Sequence, residues 1–272
     1  MADDTTLVLG ATGTTGRRVT AGLRAAGLPV RAASRRGDVT FDWAERDTWE
    51  PAIGSASRMW LMAPEDTAVD PEFVHCAVQR GVRRIVLLSS RGIETMGDER
   101  LQAAERTVSE SGVEWTIVRP DWFDQNFDEG FCLPQVLAGE VFLPLGGMRQ
   151  VFVDADDIAA AAVVALTEDG HAGRTYELTG PEALSFADAV DVIGEASGRT
   201  VRFHGGEEEF AAALESAGTP REVTDGMLSA FAALRGKGDS EPNDTVRQLT
   251  GREPKSFARY AAEAAARGVW KP

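Results

Sequence analysis

The stretch that constrains this chain most is Leu7-Val-Leu-Gly10-Ala-Thr-Gly13-Thr-Thr-Gly16. A β-prone apolar run enters it and a helical stretch leaves it, so the chain passes from strand to helix within a few residues. Each glycine answers a separate demand of that turn. Gly10 permits the tight bend, Gly13 lets a pyrophosphate approach the backbone, and Gly16 lets the helix pack on the strand. The free amides of the first helical turn, at the positive end of the macrodipole, then form an anion site. A second strand ending near residue 33 supplies the context that a dinucleotide-binding βαβ unit requires.

The same alternation continues. Strands are expected at 6–9, 29–33, 39–41, 58–62, 84–89 and 114–118, with helices at 14–26, 47–53, 68–80 and 98–111. Strands apolar on both faces belong inside a parallel sheet covered by helices on each side. After Pro120 the rhythm changes. Strand-like pieces at 142–145, 150–153 and 175–178 mix with helices at 158–166, N-capped by Asp157, and from Ser185, as N-cap, to 196. Helices at 207–217, 220–234 and 254–267 follow, with a polar loop at 236–244. The expected fold is α/β: a Rossmann-like doubly wound parallel sheet with a smaller, mostly helical C-terminal substrate lobe. The division is 1–120 for the nucleotide-binding core and 121–272 for the substrate part, some of whose segments return to the core in one compact unit.

The end of the second strand bears on which dinucleotide fits. Sites for NAD place a carboxylate there to hold the ribose hydroxyls, whereas this chain reads Arg31-Ala-Ala-Ser34-Arg35-Arg36, with no acid before Asp38. A guanidinium fork suits a 2′-phosphate, so NADP(H) is expected, with Arg35 the main contact and Ser34, Arg36 and Arg17 helping. The alternative is that Arg35 and Arg36 are solvated loop charges.

What is missing narrows the chemistry. A Tyr-x-x-x-Lys pair on the helix after the fifth strand uses the lysine to lower the tyrosine pKa, so that the phenol protonates a carbonyl oxygen. That helix here reads Asp98-Glu-Arg-Leu-Gln-Ala-Ala-Glu-Arg-Thr-Val-Ser; the only tyrosines are Tyr176 and Tyr260, and the only lysines are Lys237, Lys255 and Lys271. Ketone reduction by that pair is excluded. No nucleophile elbow, Walker lysine or metal-binding His/Cys spacing occurs, and His75, His171 and His204 are scattered, so no metal site is expected.

With 28 basic against 43 acidic residues, the net charge of −15 argues against nucleic acid as a partner. The longest apolar stretch, 158–166, is far short of the ~20 residues that span a bilayer, and residues 1–6 lack the pattern of a signal peptide. Cys76 and Cys132 read as reduced thiols of a cytoplasmic protein rather than as a disulfide. The expected partner is a small-molecule substrate, without membrane contact, for a monomer or homodimer.

Five segments together resemble the NmrA-like branch of atypical short-chain dehydrogenases: Leu7-Val-Leu-Gly-Ala-Thr-Gly, Phe41-Asp-Trp, Val86-Leu-Leu-Ser-Ser-Arg-Gly, Ser111-Gly-Val-Glu-Trp-Thr-Ile-Val-Arg-Pro and Val153-Asp-Ala-Asp-Asp-Ile-Ala. The runs Asp121-Trp-Phe-Asp-Gln-Asn-Phe and Gly173-Arg-Thr-Tyr-Glu-Leu-Thr-Gly-Pro are most similar to bacterial relatives of the ergot-alkaloid iminium reductases. The resemblance implies that Gly10, Thr12, Gly13, Thr14, Thr15 and Gly16 hold the pyrophosphate and Arg35 the 2′-phosphate. It places Asp42 and Trp43 beside the adenine, and Met62, Ala63, Pro64, Ser89 and Ser90 along the ribose and nicotinamide, although core packing is an alternative for Met62. Members of this branch reduce quinones, azo compounds or imines, or sense the cofactor without turning it over.

A chain without the Tyr-Lys pair needs an electron-poor acceptor. An iminium cation needs no proton on hydride delivery, while a quinone collects one from water or a general acid. The expected substrate wall follows Pro120: Asp121 and Trp122 stabilise a flat cation, and Arg91, Phe123, Asp124, Gln125, Asn126 and Phe127 contact the substrate. Alternatively, Trp122 and Phe123 cover the core and Asp121 caps a helix. The expected function is NADPH-dependent reduction of a flat iminium or quinone-like metabolite; a redox sensor or a non-redox isomerase or cyclase are the other readings.

Overall fold

The computed structural model describes residues 4–64 and 67–271. Seven strands build the central sheet: β1 (Thr6–Leu9), β2 (Val30–Ser34), β3 (Val39–Thr40), β4 (Arg58–Leu61), β5 (Arg84–Leu88), β6 (Glu114–Pro120) and β10 (Arg174–Leu178). Their order is β10-β6-β5-β4-β1-β2-β3, and every pairing is parallel. The first half of the chain runs outward from β1 to β3, then restarts on the other side of β1 with β4. The carboxyl ends of β1 and β4 therefore flank the point where strand order reverses, which is where an open parallel sheet leaves a crevice.

Burial explains the strand sequences. Residues of β1 are buried on both faces, with Leu7 and Leu9 on one core and Val8 on the other. One face is covered by α2 (Trp49–Ile53), α3 (Pro71–Gln79) and α5 (Glu99–Ser109), the other by α1 (Thr14–Ala25) and α7 (Ala155–Thr167). Helices α1 and α7 lie close because their facing surfaces are small: a Cβ added at Gly22 would stand 3.0 Å from Val163 Cγ2. The expected doubly wound parallel sheet is what forms.

Beyond β6 the chain adds β7 (Trp122–Phe123), β8 (Glu140–Phe142), β9 (Arg149–Val153), β11 (Ala183–Ser185) and β12 (Arg202–His204), which pair as β11-β9-β7 and β12-β8. Short α4 (Ile93–Met96) and α6 (Leu133–Ala138), then α8 (Phe186–Ser197), α9 (Glu207–Ser216), α10 (Arg221–Arg235), α11 (Thr245–Thr250) and α12 (Phe257–Arg267), complete the molecule. An aromatic core holds this half together. Phe127, Phe152, Phe186 and Phe257 meet with ring centroids 5.0–5.9 Å apart in edge-to-face and tilted pairs.

Two local expectations are corrected. Helix α7 starts three residues early: Asp154, not Asp157, is its N-cap, with its carboxylate accepting the Asp156 amide at 2.8 Å. Asp157 is instead buried in the first turn, where it accepts the Lys255 amide at 2.6 Å and faces Arg252 at 3.1 Å. The strand expected at 142–145 is Glu140–Phe142, and Leu143 and Leu145 point into the aromatic core. Cys76 and Cys132 are free thiols, and burial pushes the Cys132 thiol up to about 12.

Asp124 is the exceptional buried group. It is 1% exposed, and neither carboxyl oxygen has a hydrogen-bond partner among the described residues. Burial first, then the neighbouring Asp154, pushes its pKa well above the usual carboxylate range. Unfolding frees this group to ionise at its ordinary value, so its contribution to stability is complete in acid and is lost as pH rises towards the folded-state value. Asp124→Asn is accordingly expected to melt higher than the parent at pH 8, with the gap closing towards pH 4. For a chain of this size, each 1 kcal/mol should move the melting temperature by about 2–4 °C. Thermal melts across that range check it, and a gap independent of pH counts against it.

Candidate active site

The crevice is built first by what cannot have a side chain. Gly10 leaves β1 with φ +62°, and a Cβ there would stand 2.4 Å from Met62 Sδ at the end of β4. A Cβ on Gly16 would stand 2.2 Å from the Gly10 carbonyl oxygen, so the first turn of α1 rests directly on the end of β1. Gly13 is the N-cap of α1; its amide donates to the Gly10 carbonyl at 2.8 Å. No side chain caps this helix and no acid lies in its first turn, which leaves its N-terminus suited to an anion.

Around that loop, the Thr12 hydroxyl donates to Ser34 Oγ at 3.2 Å, tying the turn to the end of β2, and Thr15 is buried beneath it. Ser34 Oγ also accepts the Arg36 amide at 3.2 Å. The Arg35 and Arg36 side chains are exposed, and neither guanidinium has a partner among the described residues. Asp42 turns its carboxylate onto the Ala44 amide, and Trp43 packs edge-on against Phe41 and Phe73 at the rim of the core. Ala63 is half-buried and Pro64 exposed.

Thr14 and Arg17 have a partner that sequence reasoning missed. Glu129 accepts from Thr14 Oγ1 at 2.9 Å and from Arg18 at 3.0 Å, and it also pairs with Arg17. Arg17 is therefore committed to this carboxylate rather than turned towards Arg35. Burial opposes the charge on Glu129, but the hydrogen bonds from Arg17, Arg18 and Thr14 outweigh it and hold the carboxyl down at about 2.

Further along the same sheet edge, past the ends of β5 and β6, lies a cavity of about 780 Å³. Of the expected substrate residues, Arg91, Asp121, Trp122, Phe123 and Asn126 line it, as does Ser90. Trp122 is fixed by its Nε1–H, which donates to Gln150 at 3.1 Å, and by the edge of its ring against Phe186 at 5.0 Å. Phe131, 48% exposed, flanks it at the mouth. Asp121 accepts the Trp122 amide at 2.9 Å and Arg91 Nη1 at 2.9 Å, while Arg91 Nε reaches Glu177 at 3.2 Å. Burial pushes the Asp121 carboxyl up to about 6 against the pull of Arg91.

Three expected substrate contacts do not face the cavity. Asp124, Gln125 and Phe127 are buried, because a single 3₁₀ turn over Asp124–Phe127 follows β7 and rotates them inward. Gln125 braces the start of α7, donating to Asp154 at 3.0 Å and accepting the Ala155 amide at 2.8 Å; Phe127 belongs to the aromatic core. Ser89 also turns away, its hydroxyl donating to Glu105 of α5 at 2.5 Å. Glu105 binds Arg119 as well, at 2.5 and 2.8 Å, and Arg119 reaches Glu94 at 2.8 Å, so an ion-pair network occupies the helix where a Tyr-Lys pair would sit. In the opposite direction, the loop after α10 brings Lys237, Asp239 and Glu241 to the cavity wall. No local pattern in that loop announces its destination. Among the described residues, no group of three or more His, Cys, Asp or Glu side chains is placed to hold a metal ion.

A Rossmann-type sheet with a glycine-rich loop at its switch point and an aromatic-walled cavity on the same sheet edge defines the class of nucleotide-binding α/β proteins. Comparison with known proteins gives the particular family. The chain is 33% identical over 280 residues to the uncharacterized oxidoreductase YesF of Bacillus subtilis, covering 98% of this chain and 97% of that protein. It is 33% identical to the NAD(P)H azoreductase of Xenophilus azovorans, with 97% and 99% covered, and 31% identical to festuclavine synthase II of Penicillium roqueforti, with 94% and 97% covered. Among solved structures, the Escherichia coli quinone oxidoreductase QOR2 with NADPH superposes with a TM-score of 0.71 at 22% identity, covering 95% of this chain and 98% of that one. An NmrA mutant superposes at 0.68 with 16% identity, covering 98% and 97%. No family model matches the chain. The chain belongs to the NmrA-like branch of atypical short-chain dehydrogenases and is an oxidoreductase. Among the described residues no helix is long and apolar enough to cross a membrane.

Glu129 ties the segment after the Trp122 wall to the first turn of α1. Its pKa is depressed, so its contribution to stability is present above the ordinary glutamate range and is lost as pH falls through about 2. Glu129→Gln should melt below the parent at pH 7, with the difference shrinking by pH 3; calorimetry at the two pH values measures it.

Proposed function

We propose that this chain is an NADPH-dependent reductase that delivers hydride to a flat, activated acceptor, an iminium or quinone-like metabolite, without a Tyr-Lys pair. The observation that carries the reading is the cavity of about 780 Å³ at the carboxyl ends of β5 and β6, on the same sheet edge as the glycine loop, walled by Trp122, Phe123 and Phe131, with the Asp121 carboxyl, 9% exposed, in its lining. The azoreductase relative is named for NAD(P)H-dependent reduction, which supports reduction of an activated acceptor here.

The residues fit a dinucleotide phosphate. Gly10, Thr12, Gly13, Thr14, Thr15 and Gly16 would hold the pyrophosphate at the uncapped N-terminus of α1. The free guanidinium groups of Arg35 and Arg36, beside Ser34, would take the 2′-phosphate. Asp42 and Trp43 would flank the adenine, and Met62, Ala63, Pro64 and Ser90 the ribose and nicotinamide. When bound, the reduced nicotinamide supplies a hydride. The protein's own part is to stack the acceptor on Trp122 and Phe123, to exclude water with Phe131, and to set Asp121 and Arg91 against the acceptor's polar atoms. Residues 1–120 are thus the cofactor part and 121–272 the substrate part. The acidic surface and two free thiols favour a cytoplasmic monomer or homodimer.

NADPH oxidation followed at 340 nm across quinones, azo dyes and cyclic imines tests the reading; tight NADPH binding without oxidation by any acceptor would favour a redox sensor instead. Arg35→Ala should weaken NADPH binding at least tenfold while leaving NADH nearly unchanged, as the loss of one charge-assisted contact predicts. Trp122→Ala should lower turnover several-fold with NADPH affinity intact, measured by kinetics and fluorescence titration in parallel.

A further inference from the structure

We infer that Asp121 is a catalytic acid: its protonated carboxyl donates a proton to the oxygen or nitrogen of a neutral acceptor held in the cavity, while its ionised form serves a cationic one. This rests on the reductase reading and adds the proton source that the missing Tyr-Lys pair leaves unassigned.

The placement is specific. Asp121 stands directly after β6 on the carboxyl edge of the central sheet, its amide donating to the Leu178 carbonyl at 3.0 Å, and it lines the cavity beside Trp122. The other charged groups facing that space come from four places in the fold. From the segment after β5 and from α4 come Arg91 and Glu94; from β10 comes Glu177; from the loop after α10 come Lys237, Asp239 and Glu241. Glu94 and Glu177 have side chains 59% and 47% exposed, Asp239 accepts the Arg149 amide, and Lys237 and Glu241 are exposed. Asp121, with 9% side-chain exposure, is the one acid of the lining withdrawn from water.

Its partners suit a group that changes charge during turnover. One oxygen accepts the Trp122 amide, and the other faces Arg91, whose guanidinium is shared with Glu177. A divided cation does not force Asp121 to ionise in the resting site, yet it stands 2.9 Å away to stabilise the carboxylate once the proton leaves. The upward shift of the carboxyl, caused by burial, is in keeping with this. In the step itself, the Asp121 O–H bond breaks as an O–H or N–H bond forms on the acceptor. The acceptor gains two electrons with the hydride from the reduced nicotinamide, which is oxidised, and water restores the proton through the open mouth. An iminium acceptor needs no proton, and the carboxylate then offsets its positive charge instead.

The two acceptor types should therefore show opposed pH dependence. For a quinone, kcat/KM should fall roughly tenfold per pH unit above about 6, and Asp121→Asn should remove that break and lower kcat/KM at least tenfold at pH 6. For a cyclic iminium, kcat should not fall over the same range, and Asp121→Asn should act chiefly by raising KM. A readout independent of turnover is carboxyl carbon NMR of the protein alone: an aspartate signal titrating near 6, absent in Asp121→Asn, is expected. Quinone turnover without that break, or a carboxyl titrating near the ordinary aspartate value, overturns the acid assignment alone. Failure of every acceptor to oxidise NADPH overturns the reductase reading and the assignment with it.

Discussion

The close approach of α1 to the end of β1 is the contact on which the rest depends. Gly16 lies against the Gly10 carbonyl with no room for a Cβ, and Gly10 itself lies under Met62. A side chain at either position would lift the helix from the strand or push β4 aside, and the crevice between β1 and β4 would lose its floor. The uncapped helix N-terminus, the Thr12–Ser34 tie and the position of Arg35 at the next strand end all follow from that one approach. Three glycines at fixed spacing thus set the geometry of a surface to which distant parts of the chain are then attached.

The attachment is largely ionic at its edges and apolar at its centre. Helices α1 and α7 meet through valine, leucine and alanine side chains, an interface that excludes water but specifies register weakly. Specificity comes from the border, where Glu129 binds the first turn of α1 and Arg18 reaches Asp156 at 2.8 Å. Lys255 continues the chain, with 2.9 Å to Asp156, 3.2 Å to Asp154 and 3.0 Å to Glu263. Most of these residues are partly buried, which makes such pairs more selective than their exposed counterparts. The scarcity of lysine acquires a structural meaning here: Lys255 locks the start of α7, while Lys237 stands at the cavity.

Legibility in the sequence followed the range of the interaction. The six strands of the first half and their helices were readable because each depends on local periodicity and on punctuation by glycine and proline. The glycine loop was readable for the same reason. Asp121, Trp122, Phe123 and Asn126 reach the cavity, but Asp124, Gln125 and Phe127 in the same run do not. A strand pairing of two residues followed by one 3₁₀ turn decides which side chains face inward, and neither carries a sequence signature. The start of α7 was misplaced because the motif Asp154-Ala-Asp156-Asp157 offers several plausible caps, and only the packing of Asp157 against Lys255 distinguishes them. Glu129 and Lys237 were hidden because their partners lie far away along the chain.

The ion-pair network of Glu105, Arg119, Ser89 and Glu94 shows why the missing pair has not simply been replaced in place. Helix α5 presents a carboxylate where a phenol and an ammonium would act together, and Arg119 neutralises it. A carboxylate so paired has both oxygens engaged in charge-assisted hydrogen bonds. The proton donor inferred for this site stands on a different segment. Asp121, at the end of β6, is as withdrawn from water as Glu105, with side chains 9% and 12% exposed, but it receives one hydrogen bond from Arg91 where Glu105 receives two from Arg119 and one from Ser89. The number of donors rather than hydration separates the two carboxylates, and burial with so little compensation pushes the Asp121 carboxyl up, the kind of contrast on which acid and spectator roles separate.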